Sequence, residues 1–84
     1  MVKKGETSNV KQILVRNIKL YRKKSGLTQE QAAERAEITA KYWQRLELVS
    51  QIDLPSLPVL FRVAKVLEVC ASKLLEDKDR RSGS

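Results

Sequence analysis

The sequence predicts an all-α fold: five short helices packed into one domain over residues 10–76, with flexible tails at 1–9 and 77–84. Apolar residues recur at three- and four-residue spacing through most of the chain, which is the helical period. Residues that start helices, Thr28, Thr39 and Ser56, stand just ahead of three of these stretches. No run alternates apolar and polar residues between turn signals, so no strand competes. With 84 residues the chain holds one domain, and a domain of this size has few core positions to spare.

The first helix is predicted from residue 9 or 10 to Lys24. Leu14, Ile18 and Tyr21 form its core stripe. Arg22, Lys23 and Lys24 sit in the last turn, where cations suit the helix dipole, and Gly26 stops it. Thr28 caps the second helix, with Gln31 three residues on to complete a capping box. That helix ends near Ala36. Its inner face carries Ala32, Ala33 and Ala36, small enough to let a neighbour approach closely.

Glu37 and Ile38 leave room only for a tight turn. Thr39 then caps a third helix running to about Leu48, with Trp43 and Leu46 inward. Residues 49–55 read as a loop. Ser56 caps the fourth helix, and Pro58 is tolerated in its first turn. This helix extends to Leu67, with Leu57, Leu60, Phe61, Ala64 and Leu67 expected on the core face and Val59, Val63 and Val66 outside it. A short fifth helix over 71–76 is anchored by Leu74 and Leu75. Cys70, just before it, is a poor cap.

Composition narrows the function. The formal net charge is +7, which points to an acidic partner, nucleic acid being the commonest. A membrane surface fits less well, because the apolar face of the basic first helix is needed for the core. With no histidine and one cysteine, the chain lacks the usual general base and any Cys/His metal spacing. Gly5, Gly26 and Gly83 are too far apart for a phosphate-cradling loop. These absences predict no enzyme, no metal, no cofactor and no small-molecule ligand. The unpaired Cys70, with no apolar run to span a bilayer and no signal-peptide pattern, predicts a cytoplasmic protein.

Two short helices joined by Glu37-Ile38 make a helix-turn-helix. The segments also carry a family pattern. The run from Gly26-Leu27-Thr28-Gln29-Glu30 to Arg35-Ala36, then Tyr42-Trp43-Gln44-Arg45-Leu46-Glu47, then Pro55-Ser56-Leu57 with Val63-Ala64-Lys65-Val66-Leu67, and finally Val69 with Leu74-Leu75, resembles the lambda-repressor/Cro-like (XRE) family of regulators. Order and spacing together carry the resemblance.

The resemblance implies a five-helix lambda-repressor-like fold. It also implies sequence-specific binding of double-stranded DNA by a phage- or plasmid-type repressor or a restriction-modification controller. A protein-interaction module or an antitoxin of the same fold is the alternative. The third helix would enter the major groove with its N-terminal residues at base edges. By resemblance the DNA-binding set is Gln29, Thr39, Ala40, Lys41, Tyr42, Gln44 and Arg45. Arg45 suits guanine, Lys41 guanine or phosphate, Ala40 a thymine methyl, Tyr42 base or backbone, and Gln44 sugar-phosphate. Gln29, opening the second helix, would meet a phosphate. Trp43 is expected in the core, and Arg22 with Glu47 in a pair tying the first helix to the third. A homodimer on a near-palindromic site is implied, with Val59, Val63, Val66, Leu74 and Leu75 as interface candidates.

The sequence departs from the pattern where the family usually has glycine: Glu37 in the turn, Val49 after the third helix, and Glu68 before Val69. A side chain in left-handed backbone costs energy, valine most of all. The loop at Val49 is therefore expected to take another conformation.

Overall fold

The computed structural model describes residues 6–48 and 54–76. The described residues form five helices in chain order: α1 (Glu6–Lys24), α2 (Gln29–Ala36), α3 (Ala40–Leu46), α4 (Leu57–Leu67) and α5 (Ala71–Leu74). No strand occurs among them, and the architecture is the expected all-α, lambda-repressor-like arrangement. α2 packs against both α3 and α4, while α1 and α4 both pack against α5. The expected tail boundaries at residues 1–5 and 77–84, and the loop at Val49, lie outside the described residues.

The caps form as the sequence predicts. The Thr28 Oγ1 accepts the Gln31 N–H at 3.0 Å, and the Gln31 side chain accepts the Thr28 N–H at 2.9 Å. Thr39 Oγ1 accepts from Tyr42 N at 3.0 Å, and Ser56 Oγ accepts from Val59 N at 3.4 Å. Each satisfies an N–H that a helix start leaves without a partner. Cys70 stands at the start of α5 and makes no side-chain cap.

Four boundaries or faces differ from the sequence reading. α1 begins at Glu6, not at residue 9 or 10, so part of the expected tail is helical. Gly5 is the last helix-breaking residue before it, and although Thr7, Ser8 and Asn9 are weak helix formers, none of them breaks a helix as glycine or proline would. α3 ends at Leu46 rather than Leu48, because Glu47 and Leu48 donate to the carbonyls of Gln44 and Arg45, a tightened i to i+3 turn. α5 stops at Leu74 for the same reason, with Leu75 and Glu76 donating to Ser72 and Lys73.

The fourth difference concerns α4. Leu60, Val63, Ala64 and Leu67 are its buried residues, while Leu57 (65% exposed) and Phe61 (59%) lie outside the core. Two overlapping stripes fit the apolar pattern, and the helix uses the one containing Val63. The alanine face of α2 brings α4 close, and a close approach accommodates Val and Ala rather than a phenyl ring. The expected interface set changes accordingly. Val63 and Leu74 are buried, Val59 and Val66 pack partly against the core, and only Leu75 stands largely free.

The core joins Leu14, Val15 and Ile18 of α1 with the three alanines of α2, Trp43 and Leu46 of α3, the α4 stripe and Leu74. Tyr21 packs against this cluster from its edge. One buried polar residue, Asn17, had no place in the sequence reading. Its Nδ2 donates to the carbonyls of Leu74 and Glu76 at 2.9 Å and of Lys73 at 3.3 Å. It thus gathers the carbonyls at the end of α5, of which the Lys73 carbonyl also accepts the Glu76 N–H. Glu37 (φ 63°) and Glu68 (φ 60°) both adopt left-handed backbone at helix ends, as the family's glycines would.

Candidate nucleic-acid interface

The helix-turn-helix consists of α2, the turn through Glu37, Ile38 and Thr39, and α3. Glu37 N–H bonds back to Ala33 and Glu34 carbonyls, and Ile38 N–H to the Ala33 carbonyl, which closes α2 sharply. This closure points the chain into the Thr39 cap of α3 without a longer loop.

A single carboxylate fixes α3 to the rest of the domain. Glu47 is buried, and its Oε2 accepts Arg22 Nε at 2.6 Å and Trp43 Nε1 at 2.7 Å. Its Oε1 accepts Arg22 Nη2 at 3.1 Å and Gln29 Nε2 at 2.9 Å. The remaining Arg22 Nη1 donates to the Leu27 carbonyl at 2.8 Å. Burial pushes the Glu47 carboxyl up, but hydrogen bonds from Arg22, Trp43 and Gln29, with the Arg22 charge, outweigh it and hold the group below the usual carboxylate range. The pair expected between Arg22 and Glu47 is therefore a buried, two-pronged one, and Trp43 is wholly in the core.

α3 then shows two kinds of residue. Trp43, Leu46 and Glu47 face inward, and Ala40 and Tyr42 are half-buried against the core. Lys41, Gln44 and Arg45 are exposed. Lys41 and Arg45 are one turn apart, so they project side by side from the outer face with Gln44 beside them. Neither cation joins an ion pair among the described residues. Lys41 also stands in the first turn, where its charge opposes the helix dipole, an arrangement an anion would relieve.

Two of the sequence-predicted residues have duties inside the protein. The Thr39 hydroxyl oxygen accepts its cap bond, which leaves its O–H free to donate. Gln29 is half-buried, with one amide N–H committed to Glu47 and its other N–H and carbonyl left for a ligand. Gln29 and Gln44 together line a recess of about 270 Å³ with Glu47, Leu48 and Lys19. Lys19 is exposed on α1 and was missed by the sequence reading, because nothing in the helix-turn-helix segment points to a residue ten positions upstream of it. Lysine and two amides in one concavity form a donor set suited to an oxyanion such as a phosphate.

The comparisons with known proteins agree with this geometry. A family described as a helix-turn-helix domain matches residues 13–75. The chain is 37% identical over 62 residues to the HTH-type transcriptional regulator SinR of Bacillus licheniformis. The match covers 74% of the chain and 55% of that protein, so the chain spans about half the length of this relative. No solved structure matches. On the match over residues 13–75 and the capped α2–turn–α3 geometry, the chain belongs to the helix-turn-helix family, in its lambda-repressor-like, XRE-type branch.

Proposed function

We propose that the chain is a sequence-specific, double-stranded-DNA-binding transcriptional regulator, of the phage- or plasmid-repressor or restriction-modification-controller type. The observation that carries this reading is the exposed face of α3, where Lys41, Gln44 and Arg45 stand without a partner among the described residues, on a helix whose opposite face is locked by Trp43 and Glu47. A rigid helix with free donors on one side is what reading base edges in a major groove requires. The similarity to a protein named a transcriptional regulator supports the same reading.

In this reading Arg45 bonds guanine O6 and N7, Lys41 a guanine or a phosphate, and Ala40 and Tyr42 pack on a thymine methyl or the sugar. Gln44, Gln29 and Lys19 hold the backbone, and Thr39 fixes the entry of the helix. The chain works as a homodimer, since one such module covers only about 600–1,000 Å² of its own surface on DNA. Leu57 and Phe61, four residues apart on α4 and each more than half exposed, offer the apolar centre of a two-fold contact.

Selection of bound duplexes from a random library tests the proposal. The expected outcome is an enriched motif with two related half-sites about one helical turn apart. A library that emerges unenriched would overturn sequence-specific reading.

A further inference from the structure

The helix-turn-helix accounts for one basic surface but not for another. A recess of about 250 Å³ lies between the end of α2 and the flank of α4, lined by Arg35, Ala36 and Glu37 from one side and Arg62, Lys65 and Val66 from the other. Arg35, Arg62 and Lys65 are exposed, and none joins an ion pair among the described residues. Ala36 is buried and Val66 half-buried, so the floor is apolar and the rim cationic.

Its position separates it from the surfaces already described. α3 and α4 both pack on α2, and the outward residues of α3 are Lys41, Gln44 and Arg45, none of which lines this recess. At 100° per residue, Arg62 and Val66 fall on the flank of α4 away from Leu57 and Phe61, while Lys65 lies between the two sets, one turn on from Phe61. A second copy seated on Leu57 and Phe61 would leave the Arg62 and Val66 side of the recess open and border it at Lys65.

The charges around it distinguish two polyanions. Glu34 precedes Arg35 on the exposed side of α2, and Glu37 lies in the recess itself. A duplex laid across this face would bring its evenly spaced phosphates against those two carboxylates. A protein segment can place its carboxylates at the three cations and set an aliphatic side chain on Ala36 and Val66 between them. Mixed charge around an apolar floor suits such a discrete fit.

We infer that this recess docks a segment of a partner protein in which acidic residues flank an aliphatic one, and that it does so while α3 is engaged with DNA. The surface would then connect the DNA-bound domain to an acidic protein beside it. The inference goes beyond DNA reading and does not depend on it, because docking is measurable without a duplex.

The test is an NMR titration of the full chain with a synthetic peptide alternating glutamate and leucine, with inorganic phosphate and poly-glutamate as the other arms. The peptide is expected to shift the amide signals of Arg35, Ala36, Arg62, Lys65 and Val66 and to leave those of Lys41 and Arg45 in place. The double substitution Arg62→Glu with Lys65→Glu, on exposed positions, is expected to weaken the peptide at least about tenfold, a loss of about 1.4 kcal/mol. The same variant should keep its melting temperature and its base preference on a selected duplex, although its net charge falls from +7 to about +3 and weakens every duplex alike. Several results would overturn the inference: no peptide binding, equal shifts at Lys41 and Arg45, a response to inorganic phosphate matching that to the peptide, or a double variant that loses base preference as Arg45→Ala does. The last of these would give the recess to the duplex.

Discussion

Arg45 and Gln29 differ in what they can tell about a base sequence, and each supports a prediction. Arg45 is exposed on α3 with no ion-pair partner among the described residues, so Arg45→Ala is expected to cost about 1–3 kcal/mol on the best site and to relax preference at one base position. In the proposed role Gln29 meets the DNA backbone, so Gln29→Ala should weaken every duplex alike, and by removing one hydrogen bond from buried Glu47 it should also lower the melting temperature. Titration of single-base-substituted duplexes checks both, and an Arg45→Ala protein with the parental preference everywhere would refute the assigned role of α3. Glu47 yields a prediction in pH. Its carboxyl titrates below the usual range when folded, against about 4.3 when unfolded. Its stabilisation is therefore fully present above the unfolded value and is lost as pH falls through the lower, folded one. Glu47→Gln should flatten that acid limb in chemical denaturation and, by leaving Arg22 buried without its counter-charge, destabilise the domain by roughly 3–5 kcal/mol at pH 7.

At the scale of the element, the helix ends carry the testable strain. Glu37 holds a left-handed conformation that glycine adopts without penalty, so Glu37→Gly should stabilise the domain by about 1 kcal/mol in urea denaturation, the relief of strain being partly offset by the freer unfolded chain. An unchanged or lower midpoint would mean that the Glu37 side chain contributes more than its backbone costs. On α4, Phe61→Ser should leave half-site affinity and melting intact and remove cooperativity on a two-half-site duplex. Retained cooperativity would overturn the proposed dimer contact at Leu57 and Phe61.

The caps, the alanine face of α2 and the burial of Trp43 were legible because each depends on residues within one turn of one another. The true inner face of α4 was not, since Leu60, Ala64 and Leu67 belong to both candidate stripes and only packing against α2 decides between Val63 and Phe61. Among the site residues, Lys41, Gln44 and Arg45 proved exposed, as a reading helix needs. The bond from Gln29 to Glu47 joins residues 18 apart and lies beyond any local pattern.

For the whole molecule the +7 charge sets the scale of behaviour. Every phosphate neutralised should add about −0.9 to the slope of log affinity against log salt, so duplex binding is expected to fall steeply between low and physiological ionic strength. Two copies of a +7 chain repel, and salt screens that repulsion. Self-association in the absence of DNA should therefore strengthen as salt rises while DNA binding weakens. Sedimentation and fluorescence anisotropy over one salt series check the opposed signs, and a salt-independent affinity would argue against the DNA reading.

The three carbonyls that Asn17 holds belong to residues 56, 57 and 59 positions later in the chain. During synthesis Asn17 emerges long before its partners exist. At about 5–20 residues per second the ribosome needs several seconds more to make them. Until then the carboxamide has no place in a closed core, and leaving it buried without partners would cost roughly 1–3 kcal/mol. The first helix must therefore wait, hydrated, for the last one. This ties the completion of folding to the release of residues 73–76 and predicts that a nascent chain stalled before them stays open to protease.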